Sequence, residues 1–102
     1  MIFEALYESS KRGELLLIDG GFCHWHLRQD GQLTILEIIA TRQGAGSEML
    51  STLKKISNAN SLFAKCPSDL KANEFYQKKG FIYEGEEITK TGRKLKLWRF
   101  PL

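Results

Sequence analysis

The sequence predicts a single α/β domain of mixed α+β type, in which a mostly antiparallel sheet is flanked by helices. Two observations lead to this prediction. The apolar residues switch along the chain between the two-residue repeat of strands and the 3.6-residue repeat of helices. Turn-forming residues, among them two Asp-Gly pairs, occur at short intervals along the chain and separate these segments. The predicted order of elements over the 102 residues is α-β-β-β-α-β-α-β-β.

The first predicted element is a short helix near the N-terminus, because three apolar residues have helical spacing: Phe3, Leu6 and Tyr7. An edge strand over residues 3–8 is the competing prediction. Strands are then predicted over residues 14–19, 22–29 and 32–41. Asp19-Gly20 and Asp30-Gly31 separate these strands, and Asp-Gly pairs favour tight hairpins. The three strands therefore form an antiparallel meander.

The second half of the chain alternates helices with strands. A helix begins at Gly44-Ala45-Gly46, and its apolar residues form one stripe: Met49, Leu50, Leu53 and Ile56. A buried strand over residues 61–66 and a second helix over residues 70–79 follow. Ser68 or Asp69 is the expected cap of this helix, and Gly80 ends it. Strands over residues 81–89 and 93–100 complete the chain, and the β-α-β crossover requires one parallel strand pair.

The composition is that of an ordinary globular domain, with 42% hydrophobic and 26% charged residues. One domain over residues 1–102 is therefore expected. No apolar stretch approaches the ~20 residues of a membrane span, and no secretory signal is evident. Cys23 and Cys66 lack the spacing of a disulfide framework or a zinc site. We therefore expect a cytoplasmic protein with neither a membrane partner nor a metal.

The charge is unevenly distributed along the chain. Residues 1–50 contain four Lys/Arg and seven Asp/Glu, whereas residues 51–102 contain eleven Lys/Arg and five Asp/Glu. Such an asymmetry indicates an acidic ligand or partner on the C-terminal side. The alternative is that these charges form a solvated surface that only keeps the protein in solution.

The first candidate site lies where the third strand runs into a glycine turn and then into a helix. Free N–H groups at a helix N-terminus bind phosphate, and glycine lets an anion approach them closely. Arg42 could add a charge-assisted contact. However, Gly44 and Gly46 could equally serve only a tight turn and close packing.

The second candidate site lies on the helix over residues 70–79. Asn73 and Tyr76, at positions i and i+3, can present their polar ends on one side of this helix. A phenol held near a developing thiolate is a suitable general acid. The alternative is that Phe75 and Tyr76 are simply core aromatic residues.

Together, the two segments resemble the Gcn5-related N-acetyltransferase (GNAT) superfamily. Its coenzyme loop reads (Arg/Gln)-x-x-Gly-x-(Gly/Ala), and Gly44 and Gly46 occupy the glycine positions. A later family helix, which contains Asn and Phe/Tyr and is followed by Gly-Phe, is matched at four positions: Asn73, Tyr76, Gly80 and Phe81. The resemblance covers residues 14–100. It implies a GNAT-like sheet and acetyl-coenzyme A as cosubstrate.

The resemblance also implies the coenzyme-binding residues. These are Ile39, Ala40, Thr41, Arg42, Gln43, Gly44, Ala45, Gly46, Ser47, Asn73 and Tyr76. Tyr76 would protonate the departing coenzyme sulfur. The chain departs from the family in its short loop, because Thr41 holds the first motif position and Arg42 is displaced by one residue. Family members also usually have a longer N-terminal region, which contributes to the acceptor site.

The second predicted catalytic residue is Glu37, which could take a proton from an amine directly or through water. Strict alternation along the strand places it on one face with Ile35 and Ile39. An ion pair with an Arg or Lys of a neighbouring strand is the alternative explanation for this acid. His24 and His26 share a face of their strand and could replace Glu37 as base, but two histidines alone make a poor zinc site.

The leading functional hypothesis is an N-acetyltransferase that transfers acetyl from acetyl-coenzyme A to an amine of a small molecule or peptide. A catalytically inactive coenzyme A-binding module is the first alternative, because the loop is short. The second alternative is nucleic-acid binding by the C-terminal hairpin, which interleaves Lys and Arg with Trp98 and Phe100. Its charges are divided between both faces, so we do not expect nucleic acid as a partner. A homodimer is compatible with the sequence.

Overall fold

Six strands and two helices make up residues 13–102, the part of the chain that this computed structural model describes. In chain order they are β1 (Leu15–Ile18), β2 (Gly21–Leu27), β3 (Gln32–Ala40), α1 (Ala45–Leu53), β4 (Ser61–Pro67), α2 (Ala72–Lys78), β5 (Ile82–Ile88) and β6 (Lys94–Pro101). The order predicted for these residues is confirmed. The helix or edge strand predicted over residues 3–8 lies outside the described residues.

The six strands of the described residues form one sheet in the order β1-β2-β3-β4-β6-β5. β3 and β4 are parallel, and the other neighbouring pairs are antiparallel. The parallel pair results from the crossover through α1, which returns the chain to the same end of the sheet. The sheet is therefore mixed and mostly antiparallel, as predicted.

The turn between β2 and β3 shows why the Asp-Gly signal is reliable. Gly31 has φ +93°, a conformation that residues with a Cβ rarely adopt. A Cβ at this position would also lie 2.4 Å from the side chain of Asn60. Asn60 occupies this space because its Nδ2 donates a hydrogen bond to Asp30 O at 2.9 Å. The glycine thus permits both the hairpin and the contact of its turn with the segment before β4.

β3 and β4 separate from each other partway along their length. They pair only from Gln32 with Ser61 to Ile35 with Ala64. Beyond these pairs β3 continues to Ala40 and β4 to Pro67, without pairing to each other. The backbone edges that face this opening therefore lack the hydrogen bonds that the strands make elsewhere.

A β-bulge lies where the two strands begin to separate. Trp25 of β2 pairs with Ile35, whereas the preceding His24 pairs with Glu37, so Leu36 is an extra residue in β3. Since cross-strand partners share a face, Ile35 and Glu37 lie on opposite faces of the sheet. The prediction that Glu37 shares a face with Ile35 is therefore wrong, because one extra residue reverses the alternation. The prediction that Glu37 shares a face with Ile39 is confirmed, since their partners His24 and Phe22 are two residues apart on β2.

Both helices pack on the same face of the sheet, which we call the helical face. The strand residues buried there include Cys23, Trp25, Leu33, Ile35, Leu62, Ala64 and Cys66. α1 contributes Met49, Leu50 and Leu53, as its apolar stripe predicted. Neither helix of the described residues covers the opposite face, which we call the open face.

We expect Leu53→Ala to lower the free energy of unfolding by about 2–5 kcal/mol, because Leu53 is fully buried and its truncation leaves a cavity. Leu17→Ala is the matched control, since Leu17 is 69% exposed; it should change stability by no more than about 0.5 kcal/mol. Urea denaturation measures both. Equal losses would show that the core does not centre on α1.

Candidate functional site

An apolar cavity of about 150 Å³ lies on the helical face, where β3 separates from β4. It is lined by Ile38, Ala40, Gly46, Ala72 and Phe75. These residues come from the end of β3, the first turn of α1 and the N-terminal half of α2. The cavity is small compared with typical ligand pockets, so it suits a narrow part of a ligand and not a whole coenzyme.

The first turn of α1 leaves two backbone donors without partners. Gly44 is its N-cap residue, and no side chain caps the helix. The N–H of Ala45 donates to Arg42 O at 3.3 Å and that of Glu48 to Gly44 O at 3.0 Å. Between them, the N–H groups of Gly46 and Ser47 make no hydrogen bond to another residue of 13–102. Such a pair at a helix N-terminus attracts an anion.

Gly44 and Gly46 are needed for different reasons. Gly44 has φ +86°, which a side chain would strain, although a Cβ there would meet no atom within 4 Å. Gly46 is constrained by packing instead, because its Cβ would lie 2.9 Å from Cζ of Phe75. The glycine turn therefore sets the backbone conformation and also allows α1 to approach α2 at the cavity.

Arg42 is held by neighbouring groups at the same turn. Its Nε donates to Asp19 O at 2.9 Å, and its Nη2 donates to Glu48 Oε2 at 2.6 Å. The hydrogen bond with Glu48 is the main reason why the pKa of Arg42 is raised. The guanidinium thus connects the β1–β2 turn with α1, and its charge is shared with a carboxylate in the first turn of α1.

The other predicted loop residues surround this turn. Ala40 lines the cavity, whereas the side chain of Ile39 lies on the open face with that of Phe22. The N–H of Thr41 donates to Gly20 O at 2.7 Å, which fixes the loop against the β1–β2 turn. Gln43 is exposed, and its carbonyl accepts a long contact of 3.5 Å from Nη1 of Arg42.

Tyr76 is 4% exposed and points from α2 toward the sheet. Its ring makes edge contacts with Phe81 and Phe75, with centroids 5.1 and 5.6 Å apart. Burial raises the pKa of Tyr76, and the thiols of Cys66 and Cys23 add to this effect. Cys66 lies on β4 at the opening and Cys23 on β2, on the far side of β3, so the phenol lies over the region where β3 separates from β4. Its hydroxyl makes none of the hydrogen bonds found among residues 13–102.

The side chain of Asn73 is fully engaged in hydrogen bonds. Its Nδ2 donates to Pro67 O and Leu70 O, each at 2.8 Å, and its Oδ1 accepts from Nε1 of Trp98 at 2.9 Å. It therefore closes the turn before α2 and anchors that turn to β6. A direct contact of Asn73 with a coenzyme stays a prediction.

One expectation about α2 is wrong. Its N-cap residue is Lys71, without a side-chain hydrogen bond, so neither Ser68 nor Asp69 caps it. Asn73 and Tyr76 are buried, whereas Phe75 is half-buried against the core and Ala72 is exposed. The cap is misplaced because the helix begins two residues later than predicted, after the turn that Asn73 closes.

Glu37 lies on the open face beside His24, its partner in the β2–β3 ladder. Its Oε1 is buried and has no hydrogen-bond partner among residues 13–102. No ion pair among the same residues includes Glu37, so the alternative of a partner Arg or Lys finds no support there. A buried oxygen without a partner costs about 1–3 kcal/mol, which makes it a candidate contact for a ligand.

The two histidines differ in their surroundings. His24 is buried, whereas the side chain of His26 is 47% exposed and its Nδ1 lies 3.1 Å from both carboxylate oxygens of Glu14. Sequence reasoning missed this pair, because Glu14 and His26 are 12 residues apart and only the strand register joins them. No group of three potential metal ligands occurs in residues 13–102.

Solved structures identify the fold. A GNAT-family acetyltransferase from Bacillus cereus superposes with a TM-score of 0.77 at 19% identity, covering 92% of this chain and 74% of that one. A candidate streptothricin acetyltransferase from Bacillus anthracis, solved with acetyl-coenzyme A, gives 0.70 at 20% identity over 80% of this chain. Ard1 from Thermoplasma volcanium gives 0.69 at 19% identity over 81% of this chain.

These likenesses show that the chain has the GNAT fold, so the predicted resemblance is confirmed at the level of fold. The chain spans 56% of the Bacillus anthracis protein and 63% of Ard1. No family model and no curated protein matches the sequence. Neither described helix is both long and apolar enough to cross a membrane.

We expect Asn73→Leu to destabilise the fold by about 1–3 kcal/mol, because it leaves the buried Nε1 of Trp98 without a partner and removes two side-chain hydrogen bonds to the carbonyl groups of Pro67 and Leu70. Gln77→Leu on the exposed side of α2 is the control. Urea denaturation of Asn73→Leu, Trp98→Phe and the double variant gives the coupling of the pair. Additive effects of the two substitutions would contradict the hydrogen bond.

Proposed function

We propose that the protein is an N-acetyltransferase of the GNAT superfamily, which moves the acetyl group of acetyl-coenzyme A directly to an amine. One observation carries the proposal. Two unpartnered N–H groups, an apolar cavity and a buried tyrosine meet where β3 separates from β4. The GNAT fold of the chain supports the same conclusion.

The residues around the opening fit the parts of the coenzyme. The N–H groups of Gly46 and Ser47 would hold the pyrophosphate at the N-terminus of α1. The cavity lined by Ala40 and Phe75 would receive apolar parts of the pantetheine arm. The edge of β3 near Ile39, which β4 does not pair, would hydrogen-bond the amides of that arm. Arg42 and Gln43 would flank the phosphates.

In the proposed reaction, Glu37 takes a proton from the acceptor amine. The amine nitrogen then forms a bond to the thioester carbonyl carbon, and the carbon–sulfur bond breaks. Tyr76 gives its proton to the departing sulfur, so the products are an amide and a free thiol. Exchange with solvent returns a proton from Glu37 to the Tyr76 oxygen. The protein contributes mainly by orienting two substrates and by exchanging these protons.

A coenzyme A-binding module without catalysis is the second candidate. The positions of the two predicted catalytic residues favour it, because Tyr76 lies on the helical face of the sheet and Glu37 on the open face. The nucleic-acid alternative gains no support, since Arg99 of the basic hairpin is paired with Glu84 at 2.9 Å. We further propose a cytoplasmic location, consistent with two free cysteines.

We expect Tyr76→Phe to slow the chemical step by about 10²- to 10⁴-fold and to leave acetyl-coenzyme A binding unchanged. Stability should stay the same, because no described residue hydrogen-bonds the hydroxyl that is lost. Since the pKa of Tyr76 is raised, the phenol keeps its proton across neutral pH, and no loss of rate from its ionisation should appear below its ordinary pKa of about 10.

Single-turnover kinetics and melting temperature, measured on the same samples, test this role. Full turnover by Tyr76→Phe would show that the tyrosine only packs against Phe81. A parent protein that binds acetyl-coenzyme A and acetylates no amine would favour the binding module.

We expect Glu48→Gln to strengthen coenzyme A binding several-fold, because it removes a negative charge near the phosphate site and releases Arg42. Arg42→Gln should weaken binding. Both effects should shrink at high salt, since screening weakens exposed charges. Glu74→Gln, in the first turn of α2, is the control that should change nothing. Calorimetry at two ionic strengths measures the affinities, and unchanged binding by Glu48→Gln would argue against this location of the phosphates.

A further inference from the structure

An exposed apolar row crosses the open face beside Glu37. Leu17 pairs with Phe22, and Phe22 pairs with Ile39, so the three side chains are lateral neighbours on one face. Leu17 is 69% exposed and Ile39 is 42% exposed, while Phe22 is half-buried. Neither described helix packs on this face. Three adjacent apolar side chains in water are a surface that a ligand can cover.

The unpartnered carboxylate stands next to this row. Glu37 precedes Ile39 by two residues on β3, which places it about 7 Å farther along the same face. Its neighbours across the ladder are His24 and then Leu15. Oε1 of Glu37 is buried without a hydrogen-bond partner among residues 13–102. A ligand that completes this site must therefore supply a hydrogen-bond donor at one end and an apolar surface at the other.

The bulge at Leu36 is what brings these features together. Without the extra residue, Glu37 would point to the same face as Ile35, where the core lies. With it, the carboxylate and the apolar row share the open face, at the end of β3 that borders the opening. The candidate coenzyme cavity borders the same opening from the helical face.

From this arrangement we infer that the acceptor is a hydrophobic primary amine, such as an alkylamine or an arylalkylamine. Its ammonium group pairs with Glu37, and its apolar part lies on Leu17, Phe22 and Ile39. Calling this amine the acceptor rests on the proposed function. The binding site itself does not, because it is defined by residues of the chain without coenzyme. A polyamine would satisfy the carboxylate and leave the apolar row uncovered, and a neutral alcohol would do the reverse.

The test measures binding of three probes to the full chain by calorimetry or NMR titration, with and without saturating coenzyme A. The probes are hexylamine, hexanol and spermidine. Hexylamine should bind at least about tenfold more tightly than either of the others, since it alone provides both contacts. Equal or tighter binding of spermidine would overturn the inference, and so would hexylamine that does not bind.

Variants assign the binding to this face. Glu37→Gln should weaken hexylamine about tenfold and leave hexanol unchanged. It should not destabilise the fold, because the buried oxygen has no partner to lose. Leu17→Ser, at a strongly exposed position, should weaken both hexylamine and hexanol. Ile82→Ser, an exposed apolar residue of β5, is the control that should weaken neither.

Other occupants of the row give different results. If a second copy of the chain covers the row, sedimentation should show a dimer. Leu17→Ser should dissociate this dimer and hexylamine should not, and this result would overturn the inference. Acetylation of spermidine but not of hexylamine would overturn it and leave the proposed function intact. Hexylamine binding without any coenzyme A binding would retain the amine site and reject the acetyltransferase.

Discussion

The separation of β3 from β4 after four residue pairs is the constraint on which the rest of the structure depends. Backbone groups in a sheet must find partners, and two parallel strands normally provide them for each other. Here the two edges part, and no described strand fills the opening. The two helices border this opening. α1 begins beside it and α2 lies next to it, with Gly46 of α1 packed against Phe75 of α2. A ligand placed between the two strands would complete the hydrogen bonding of the sheet.

The helices and strands could be predicted from the sequence, but the contacts between them could not. Glycine turns such as Asp30-Gly31 and the helical stripe around Leu53 are local signals, so the strands, helices and fold class could be predicted. The bulge at Leu36 could not, because it is defined only against β2. The hydrogen bonds of Asn73 were missed for the same reason: one of its partners, Trp98, is 25 residues away. The candidate site residues could therefore be identified from the sequence, but the direction of each side chain depends on partners that are distant in sequence.

The charges at the first turn of α1 modify the simple picture of a phosphate site. A glycine turn with a nearby arginine predicts an electropositive loop, yet Arg42 is shared with Glu48 and lies 3.9 Å from an oxygen of Asp19. An anion approaching Gly46 and Ser47 therefore meets two N–H groups, one cation and its counterions. Anion binding would rearrange these ion pairs instead of adding one more, and this would link the affinity of the proposed phosphate site to the β1–β2 turn.

The two faces of the sheet satisfy their polar groups differently, and this difference suggests how the site is divided. On the helical side, Asn73 uses both of its amide hydrogens and its oxygen within the protein, which is typical of a structural position. On the open face, Glu37 keeps a buried oxygen unpaired. A fold selected for stability alone would replace or pair such a group, because the unsatisfied oxygen lowers the free energy of unfolding. Its position beside the opening, and not elsewhere on the sheet, is what makes function the better explanation of that penalty.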